Sequence, residues 1–208
     1  MTGVIDVDPA NPEPAAIQRA VQILLSGGIV AYPTDTLYGL AIDPRRPDAC
    51  ERLFALKGRE AGMPVPFIAA SLEQVNQIAI FGDGERRLAR AFWPGPLTIV
   101  ATARPSVSRR LLAGGSRAAV CVPAHAVAQA LAAALGTPIS STSANRSGEP
   151  PASASDAIRS SLGDIVDLVL DAGPAPGGAP STIVDLLDGP RLIRAGAVAW
   201  ERVLKSLE

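Results

Sequence analysis

The chain has 208 residues, of which 48% are hydrophobic and 19% are charged. This composition excludes a disordered polypeptide, and the length lets one domain bury a core without disulfides. A formal net charge of −1 argues against a protein whose main role is non-specific nucleic-acid binding. Two cysteines and one histidine exclude a disulfide scaffold, a four-cysteine zinc site and a multi-histidine metal centre.

The chain carries no predicted membrane span, because no segment stays apolar over about eighteen residues. Its first residues, MTGVIDVDPANPEP, are acidic and proline-rich and lack the basic start and apolar core of a signal peptide. We therefore expect a cytoplasmic protein with reduced cysteines and no membrane partner.

Hydrophobic periodicity and Gly/Pro punctuation predict alternating helices and strands. Along the first half these are a helix from about Asn11 to Gly27 with Ile17, Ala20, Val21, Leu24 and Leu25 on one face, a strand over Ile29–Tyr32, a helix from Pro47 to Gly58, a strand over Val65–Ala70, a helix after Ser71 and a helix over Glu85–Phe92. The second half continues with strands over Leu97–Ala101 and Ala118–Val122, a helix over Ala124–Leu135, a short strand over Ile139–Ser141, a helix over Ser155–Leu162, strands over Ile165–Leu170, Thr182–Leu186 and Leu192–Arg194, and a closing helix over Trp200–Leu207. This alternation predicts an α/β fold, and the short consecutive strands favour a mixed sheet over a purely parallel one.

The first candidate site follows the strand that ends at Tyr32. Thr34, Asp35, Thr36 and Tyr38 crowd the carboxyl end of that strand, which is where α/β proteins place ligands. The alternative is a turn in which these side chains only cap the next segment.

The second candidate is the pair of cations in Lys57-Gly58-Arg59, just after a predicted helix. A compact ammonium and a planar guanidinium suit an anion with several oxygens. The alternative is a helix C-terminus that attracts cations through its dipole.

The third candidate is the run of hydroxyl residues from Ser140 to Ser143, followed by Asn145 and Gly148. Hydroxyls, an amide and free backbone N–H groups can form a nest for phosphate or carboxylate. A plain serine-rich loop is the alternative, but the abrupt change after an apolar strand favours a site.

Three further motifs are ambiguous when taken alone. Residues 93–98, WPGPLT, read as a rigid turn, while PSTIVD at 180–185 and RAG at 194–196 read equally well as strand ends or as sites. His125, at a predicted helix start, is expected to be structural rather than a general base, and Cys121, inside an apolar strand, is expected to be an inert thiol. Walker, GxGxxG and GxSxG motifs are absent.

Taken in order, PTDTLYGL, KGR, WPGPLT, STSANRSG, PSTIVD and RAG make the chain resemble the YrdC/Sua5 family of L-threonylcarbamoyladenylate synthases over about residues 15–200. The resemblance implies a twisted mixed α/β sheet flanked by helices, with a large, concave, basic cavity. It also implies one YrdC-like domain over residues 1–208, without the C-terminal domain of the longer Sua5-type members. Such enzymes form threonylcarbamoyl-AMP and pyrophosphate from L-threonine, bicarbonate and ATP. The product feeds a separate transferase complex that modifies adenosine 37 of tRNA.

The resemblance also implies roles for individual residues. Lys57 and Arg59 match the catalytic pair and, with Ser143 and Asn145, the positions that hold the ATP phosphates. The remaining matches are Arg194 near the nucleotide, Pro151 near its adenosine, and Thr36, Ser141 and Ser181 at threonine. Mg²⁺ would bridge the phosphates, held mainly by ATP and water rather than by protein side chains.

Several positions depart from the family pattern, among them Glu60, Met63 and Ile68, and the most serious departure is at Cys121. Cys121 stands where the family has an arginine that binds the threonine carboxylate, and Arg117 stands four residues earlier. Residues four apart in a strand lie roughly 13 Å apart, so the second position does not simply replace the first. The departure keeps two alternatives open, which are a paralogue that adenylates a different carbamate and an RNA-binding or ribosome-maturation module of the same fold.

Overall fold

The protein is described by a computed structural model covering residues 2–58, 63–146, 148–150 and 152–208. Its helices are α1 (Pro14–Leu25), α2 (Pro47–Lys57), α3 (Leu72–Val75), α4 (Asp83–Phe92), α5 (Ala126–Leu135), α6 (Ser155–Leu162) and α7 (Trp200–Lys205). Its strands are β1 (Gly3–Asp6), β2 (Val30–Pro33), β3 (Tyr38–Ala41), β4 (Phe67–Ile68), β5 (Ala79–Ile80), β6 (Leu97–Ala103), β7 (Arg117–Cys121), β8 (Ile139–Ser140), β9 (Thr142–Ser143), β10 (Leu168–Asp171), β11 (Thr182–Asp185) and β12 (Arg191–Arg194).

The strands form two sheets, both of which mix parallel and antiparallel pairs. One has the order β1-β10-β2-β3-β9, and the other runs β12-β11-β6-β7-β4-β8 with β5 against β6. Parallel pairs include β10 with β2 and β11 with β6, while β2–β3 and β6–β7 are antiparallel. The predicted mixed α/β fold is confirmed, with its strands distributed over two sheets.

The hydroxyl-rich segment carries the chain from one sheet to the other. Ser140 ends β8, which pairs with β4, and Thr142 begins β9, which pairs with β3. Ser141 lies between them and donates its backbone N–H to the carbonyl of Pro66 at 2.7 Å. The hydroxyl oxygen of Ser140 accepts the backbone N–H of Ile42 at 3.0 Å. These bonds tie the two sheets together at one point.

The helices begin and end for local reasons that the sequence already carries. Pro14 occupies the first turn of α1, where a missing N–H costs nothing, and Pro47 does the same for α2. Gly58 and Gly136 end α2 and α5 in left-handed conformations, with φ of 56° and 75°.

A core between α1, α5 and the five-stranded sheet buries the apolar face predicted for the first helix. Ile17 and Leu24 of α1 pack in one cluster with Leu131 of α5 and Leu170 of β10. Leu25, assigned to the same face, is instead 48% exposed, because it lies one position past the buried stripe.

The structure adds strands that the sequence pattern did not reveal. β1 lies within the acidic, proline-rich N-terminal segment, for which no helix or strand was predicted. It is held in the sheet by parallel pairing with β10. β3 was hidden in the polar motif after Tyr32. The helix predicted after Ser71 is a single turn, and β5 follows it. Among the described residues, no helix is long and apolar enough to cross a membrane.

Candidate active site

A cavity of about 480 Å³ opens where the two sheets meet. Its walls come from the turn between β2 and β3, the segment from β8 to β9, and the strands β4, β6, β7, β11 and β12 with the loops that precede them. The lining residues are Thr34, Asp35, Thr36, Leu37, Tyr38, Gly39, Pro66, Phe67, Ile68, Pro96, Thr98, Cys121, Pro123, Ser141, Thr142, Ser143, Pro180, Ser181, Ile183 and Arg194.

The floor of the cavity is one row of side chains across five neighbouring strands. Ile68 of β4 pairs with Cys121 of β7, and Ile183 of β11 pairs with Thr98 of β6 on one side and Arg194 of β12 on the other. The antiparallel register of β6 and β7 brings Thr98 opposite Cys121. With strands about 4.8 Å apart, the backbones at Cys121 and Arg194 are roughly 14 Å apart. The two ends of the row therefore offer a ligand different chemistry.

The turn between β2 and β3 presents Asp35 and Thr36 to the cavity. Thr34 organises this turn, because its hydroxyl donates to the carbonyl of Leu37 at 2.6 Å and accepts the Leu37 N–H at 3.3 Å. The Asp35 Oδ2 accepts the backbone N–H of Ala124 at 2.9 Å, which ties the turn to the start of α5. The motif therefore combines the two predicted roles: Thr34 caps the turn, and Asp35 and Thr36 face the cavity.

At the other end of the row, Arg194 is held by Ser181. The Arg194 Nη2 donates to the Ser181 carbonyl at 2.8 Å and to the Ser181 Oγ at 3.1 Å. The Ser181 hydroxyl in turn lies 2.8 Å from the Thr98 Oγ1. Burial lowers the pKa of Arg194 from its ordinary value, but an arginine guanidinium stays charged in proteins at neutral pH. Arg194 of β12, Ser181 just before β11 and Thr98 of β6 thus make one polar group.

Lys57 lies behind the cavity wall rather than in it. Its side chain is buried, and its Nζ donates to the carbonyls of Ser143 at 2.9 Å and Asn145 at 2.8 Å and to the Asn145 Oδ1. The Ser143 hydroxyl donates to the same Asn145 Oδ1 at 2.6 Å. Lys57 thus holds the backbone that presents Ser143 to the cavity.

The structure brings most of the sequence-predicted site residues to this one place. Lining the cavity are Thr36, Ser141, Ser143, Ser181 and Arg194. Behind the wall at Ser143 are Lys57 and Asn145. Arg59 and Pro151 lie outside the described residues.

The expected basic character is not seen in the described part of the wall. There, Arg194 is the cation and Asp35 the anion, and the other lining residues are neutral.

Cys121 occupies the floor as a neutral group. Its Sγ donates to the Gly95 carbonyl at 3.2 Å. Burial, with a smaller contribution from the negative charge of Asp35, raises the pKa of Cys121 to about 12. The thiol therefore stays protonated at neutral pH, as expected for an inert cysteine, although it faces a cavity rather than a closed core.

Arg117 does not supply a cation to the cavity. It lies at the far end of β7, where it forms an ion pair with Asp185 and donates to the Val100 carbonyl at 3.2 Å. It is not among the residues that line the cavity. Arg117 therefore does not take the place of the arginine that the family carries at position 121.

Sequence reasoning missed Thr98 as a lining residue, and it expected a structural role for His125. Thr98 is buried and lines the floor; a polar residue at the start of the otherwise apolar strand LTIVATA was the available signal. His125 is the N-cap of α5, where its Nδ1 accepts the Val127 N–H at 3.3 Å. Burial lowers the pKa of His125, which favours the neutral ring that this cap requires.

Comparisons with known proteins agree on the kind of protein that has this fold and cavity. A family model for Sua5, YciO and YrdC, described as "Telomere recombination", matches residues 22–196. A threonylcarbamoyl-AMP synthase of Thiobacillus denitrificans is 40% identical over 174 residues, which cover 83% of this chain and 91% of that protein.

Two crystal structures are similar over nearly the whole chain. Pyrococcus abyssi Sua5 complexed with L-threonine has a TM-score of 0.93 and 33% identity; the match covers 99% of this chain but 61% of Sua5. E. coli YciO has a TM-score of 0.87 and 30% identity, covering 96% of this chain and 98% of YciO. The chain belongs to the Sua5/YciO/YrdC family.

Proposed function

We propose that the protein is an L-threonylcarbamoyl-AMP synthase, which forms threonylcarbamoyl-AMP and pyrophosphate from L-threonine, bicarbonate and ATP. One observation carries this proposal: hydroxyls from four chain segments and the guanidinium of Arg194 line a single cavity in a chain of this family. A relative with the same fold has been crystallised with L-threonine. The cavity, at about 480 Å³, falls in the usual range for a small-molecule site.

The proposed reaction joins two steps in one cavity. The amine of threonine and bicarbonate form a carbamate with loss of water. A carbamate oxygen then attacks the α-phosphorus of ATP, and the bond to the bridging oxygen breaks to release pyrophosphate. No protein nucleophile is needed, so catalysis rests on alignment and on charge stabilisation of the phosphates. The carbamate is unstable in water, and a recessed cavity protects it.

We assign the nucleotide to the Ser143 and Arg194 sides of the cavity. In this assignment Arg59 and Ser143 contact the phosphates, and Pro151 lies near the adenosine. Lys57 and Asn145 act on the phosphates through Ser143, since the Lys57 ammonium holds the carbonyls of Ser143 and Asn145 in place behind the wall.

We assign L-threonine to the side of the cavity formed by the hydroxyls of Thr36, Ser141 and Ser181. These hydroxyls suit the carboxylate and hydroxyl of the amino acid. The neutral floor at Cys121 leaves them without the arginine that other family members carry at that position, so we expect weaker threonine binding than in those members.

Mg²⁺ enters as part of the nucleotide substrate. Among the described residues there is no group of three acidic, histidine or cysteine side chains that could hold a metal ion by themselves. We expect the cation to be carried mainly by ATP oxygens and water, where its chemistry is to neutralise phosphate charge. The product is consumed by a tRNA threonylcarbamoyl transferase complex, which together with the need for ATP implies work in the cytoplasm.

The decisive experiment measures pyrophosphate release from Mg²⁺-ATP and bicarbonate, with L-threonine or with each of a panel of other amino acids. We expect strong stimulation by L-threonine, and loss of that stimulation in Ser143→Ala. Ser160→Ala is the matched control, because Ser160 is exposed on α6 and bonds only within its helix. Pyrophosphate release that does not respond to any amino acid would contradict the proposal.

A second candidate is favoured by Cys121, which leaves the described floor without a cation at its β7 position. In this case the protein adenylates the carbamate of a different amine. Stimulation by another amine but not by L-threonine would identify this activity. Absence of any ATP turnover would instead support a binding module of the same fold.

A further inference from the structure

The end of the cavity floor at Cys121 carries a negative charge with no matching cation in the described residues. Asp35 lines the cavity, and its one hydrogen bond in the described part of the chain joins Oδ2 to the Ala124 N–H. No lysine, arginine or histidine of that part forms an ion pair with Asp35, whereas five other aspartates do form ion pairs with arginines there: Asp43, Asp48, Asp156, Asp167 and Asp185.

The neighbours of Asp35 do not neutralise it. Cys121 beside it is a protonated thiol, and Ile68 next along the row is apolar. His125 is within reach of the Asp35 charge, but burial lowers the pKa of this histidine and favours its neutral ring. The cation of the row, Arg194, is three strands from Cys121, at a backbone separation of roughly 14 Å. A carboxylate in a recessed, partly apolar site attracts an opposite charge more strongly than one in open water.

We infer that the Asp35 carboxylate is the binding site for the primary ammonium group of the amino-acid substrate. This inference rests on the proposed function and deepens it, because it says which end of threonine enters the Cys121 end of the floor. The ammonium is the one cationic group of L-threonine, and Asp35 is the one anionic group of the described wall. When the amine has become a carbamate it still has one N–H, which can remain bonded to the same carboxylate.

The position of Asp35 suits this role. Thr34 holds the turn on one side through its bonds to Leu37, and the Ala124 N–H holds Oδ2 on the other. Oδ1 is left for a ligand. A carboxylate that is held in place before binding loses little conformational freedom when the ammonium arrives.

The test compares Asp35→Asn with wild type on three ligands of one skeleton. L-threonine has both charged groups, 1-amino-2-propanol has only the ammonium, and 3-hydroxybutanoate has only the carboxylate. Binding is measured by calorimetry with a non-hydrolysable ATP analogue and Mg²⁺ present. Asparagine keeps an acceptor for the Ala124 N–H, and Asp188→Asn is the control for the change in net charge, because Asp188 is exposed and away from the cavity.

We expect Asp35→Asn to weaken the binding of both amines roughly 10- to 100-fold, as for the loss of one charge-assisted hydrogen bond. Binding of 3-hydroxybutanoate should be unchanged or tighter, which also shows that the cavity is still formed. Equal affinity of wild type and Asp35→Asn for L-threonine would overturn the inference, and so would equal weakening of all three ligands.

The same proteins separate this inference from the proposed function. If the amines bind through Asp35 but wild type releases no pyrophosphate, the ammonium site stands and the proposed function fails. If wild type turns over L-threonine and Asp35→Asn has an unchanged KM for it, the ammonium site is wrong and the proposed function stands. Failure of wild type to bind either amine overturns both.

Discussion

Gly196 is the residue whose replacement should damage the cavity most directly without removing a polar group. It follows β12 and passes against the segment that leads into β11. A Cβ added at Gly196 would lie 2.2 Å from the carbonyl oxygen of Pro180 and 2.6 Å from both the Ser181 carbonyl carbon and the Thr182 nitrogen. All three are backbone atoms, so no side-chain rotation relieves the contact. Reaching an ordinary separation of about 3.5 Å requires a backbone shift of about 1.3 Å.

The stability lost in Gly196→Ala follows from the hydrogen bonds that such a shift breaks. The Ala197 N–H donates to the Pro180 carbonyl at 2.9 Å. The Thr182 hydroxyl donates to the Val198 carbonyl at 2.7 Å and accepts the Val198 N–H at 3.0 Å. At about 1 kcal/mol for each bond, the free energy of unfolding falls by about 3 kcal/mol. For a domain of this size, the expected fall in Tm is about 6–12 °C.

The activity lost in Gly196→Ala follows from the displacement of Ser181, which holds Arg194 and lines the cavity. A shift of about 1 Å at a bound reactant lowers kcat/KM about 100-fold. The assays are thermal unfolding and threonine-dependent pyrophosphate release at a temperature where the variant is folded. Gly84→Ala is the control, because its Cβ would meet only the flexible side-chain ends of Leu186, at 3.0 Å, and Leu207, at 3.8 Å. Wild-type Tm and turnover in Gly196→Ala would refute this reasoning.

Three other predictions concern buried polar groups. Lys57→Met should lower the free energy of unfolding by about 2–4 kcal/mol, because the carbonyls of Ser143 and Asn145 lose a charged donor. Denaturant unfolding measures this change, and unchanged stability would contradict the described hydrogen bonds of Lys57. Burial lowers the folded-state pKa of His125, so its contribution to stability is present above the ordinary histidine range and is lost as the pH falls through the folded pKa. The drop in Tm between pH about 7.5 and about 5 should therefore be smaller in His125→Asn, which keeps a cap, and an equal drop would refute this role. Burial raises the pKa of Cys50 to about 11 and that of Cys121 to about 12. At about pH 8, both thiols should therefore react with iodoacetamide far more slowly in the folded protein than in the protein unfolded by guanidinium. Fast labelling of the folded protein would contradict the described burial.

The charges at the site also bear on how the protein differs from its relatives. The cavity floor has an arginine at one end and a carboxylate beside a neutral thiol at the other. Arg117, the nearest cation along β7, is committed to Asp185. Changing Cys121 to arginine would therefore place a cation next to Asp35 and alter both ends of threonine recognition at once, which makes this a less clean test than removal of the Asp35 charge.

Much of the fold could be predicted because local signals and the tertiary structure agree. Pro47 and Gly58 bracket α2 as expected, and Gly136 ends α5, since each conformational preference acts within a few residues. The buried face of α1 follows from helical periodicity. β1 was missed because it is a short edge strand with little burial, which is stabilised by pairing with β10. Its first residue, Gly3, pairs with Leu168, which is 165 residues away in the chain, so the local sequence carries no signal of this strand.

The motifs at 34–36 and 141–143 were recognisable in the amino-acid sequence, because polar groups at the ends of apolar strands stand out from their surroundings, whereas Ser181 and Arg194 were assigned through the family resemblance. That they share one cavity was decided by the tertiary structure, since pairing of strands distant in the chain brings them together. The same holds for burial of Lys57 behind the wall, the ion pair of Arg117 and the lack of a described cation beside Asp35. Residue type determines which charge a side chain carries, but only packing determines what that charge meets.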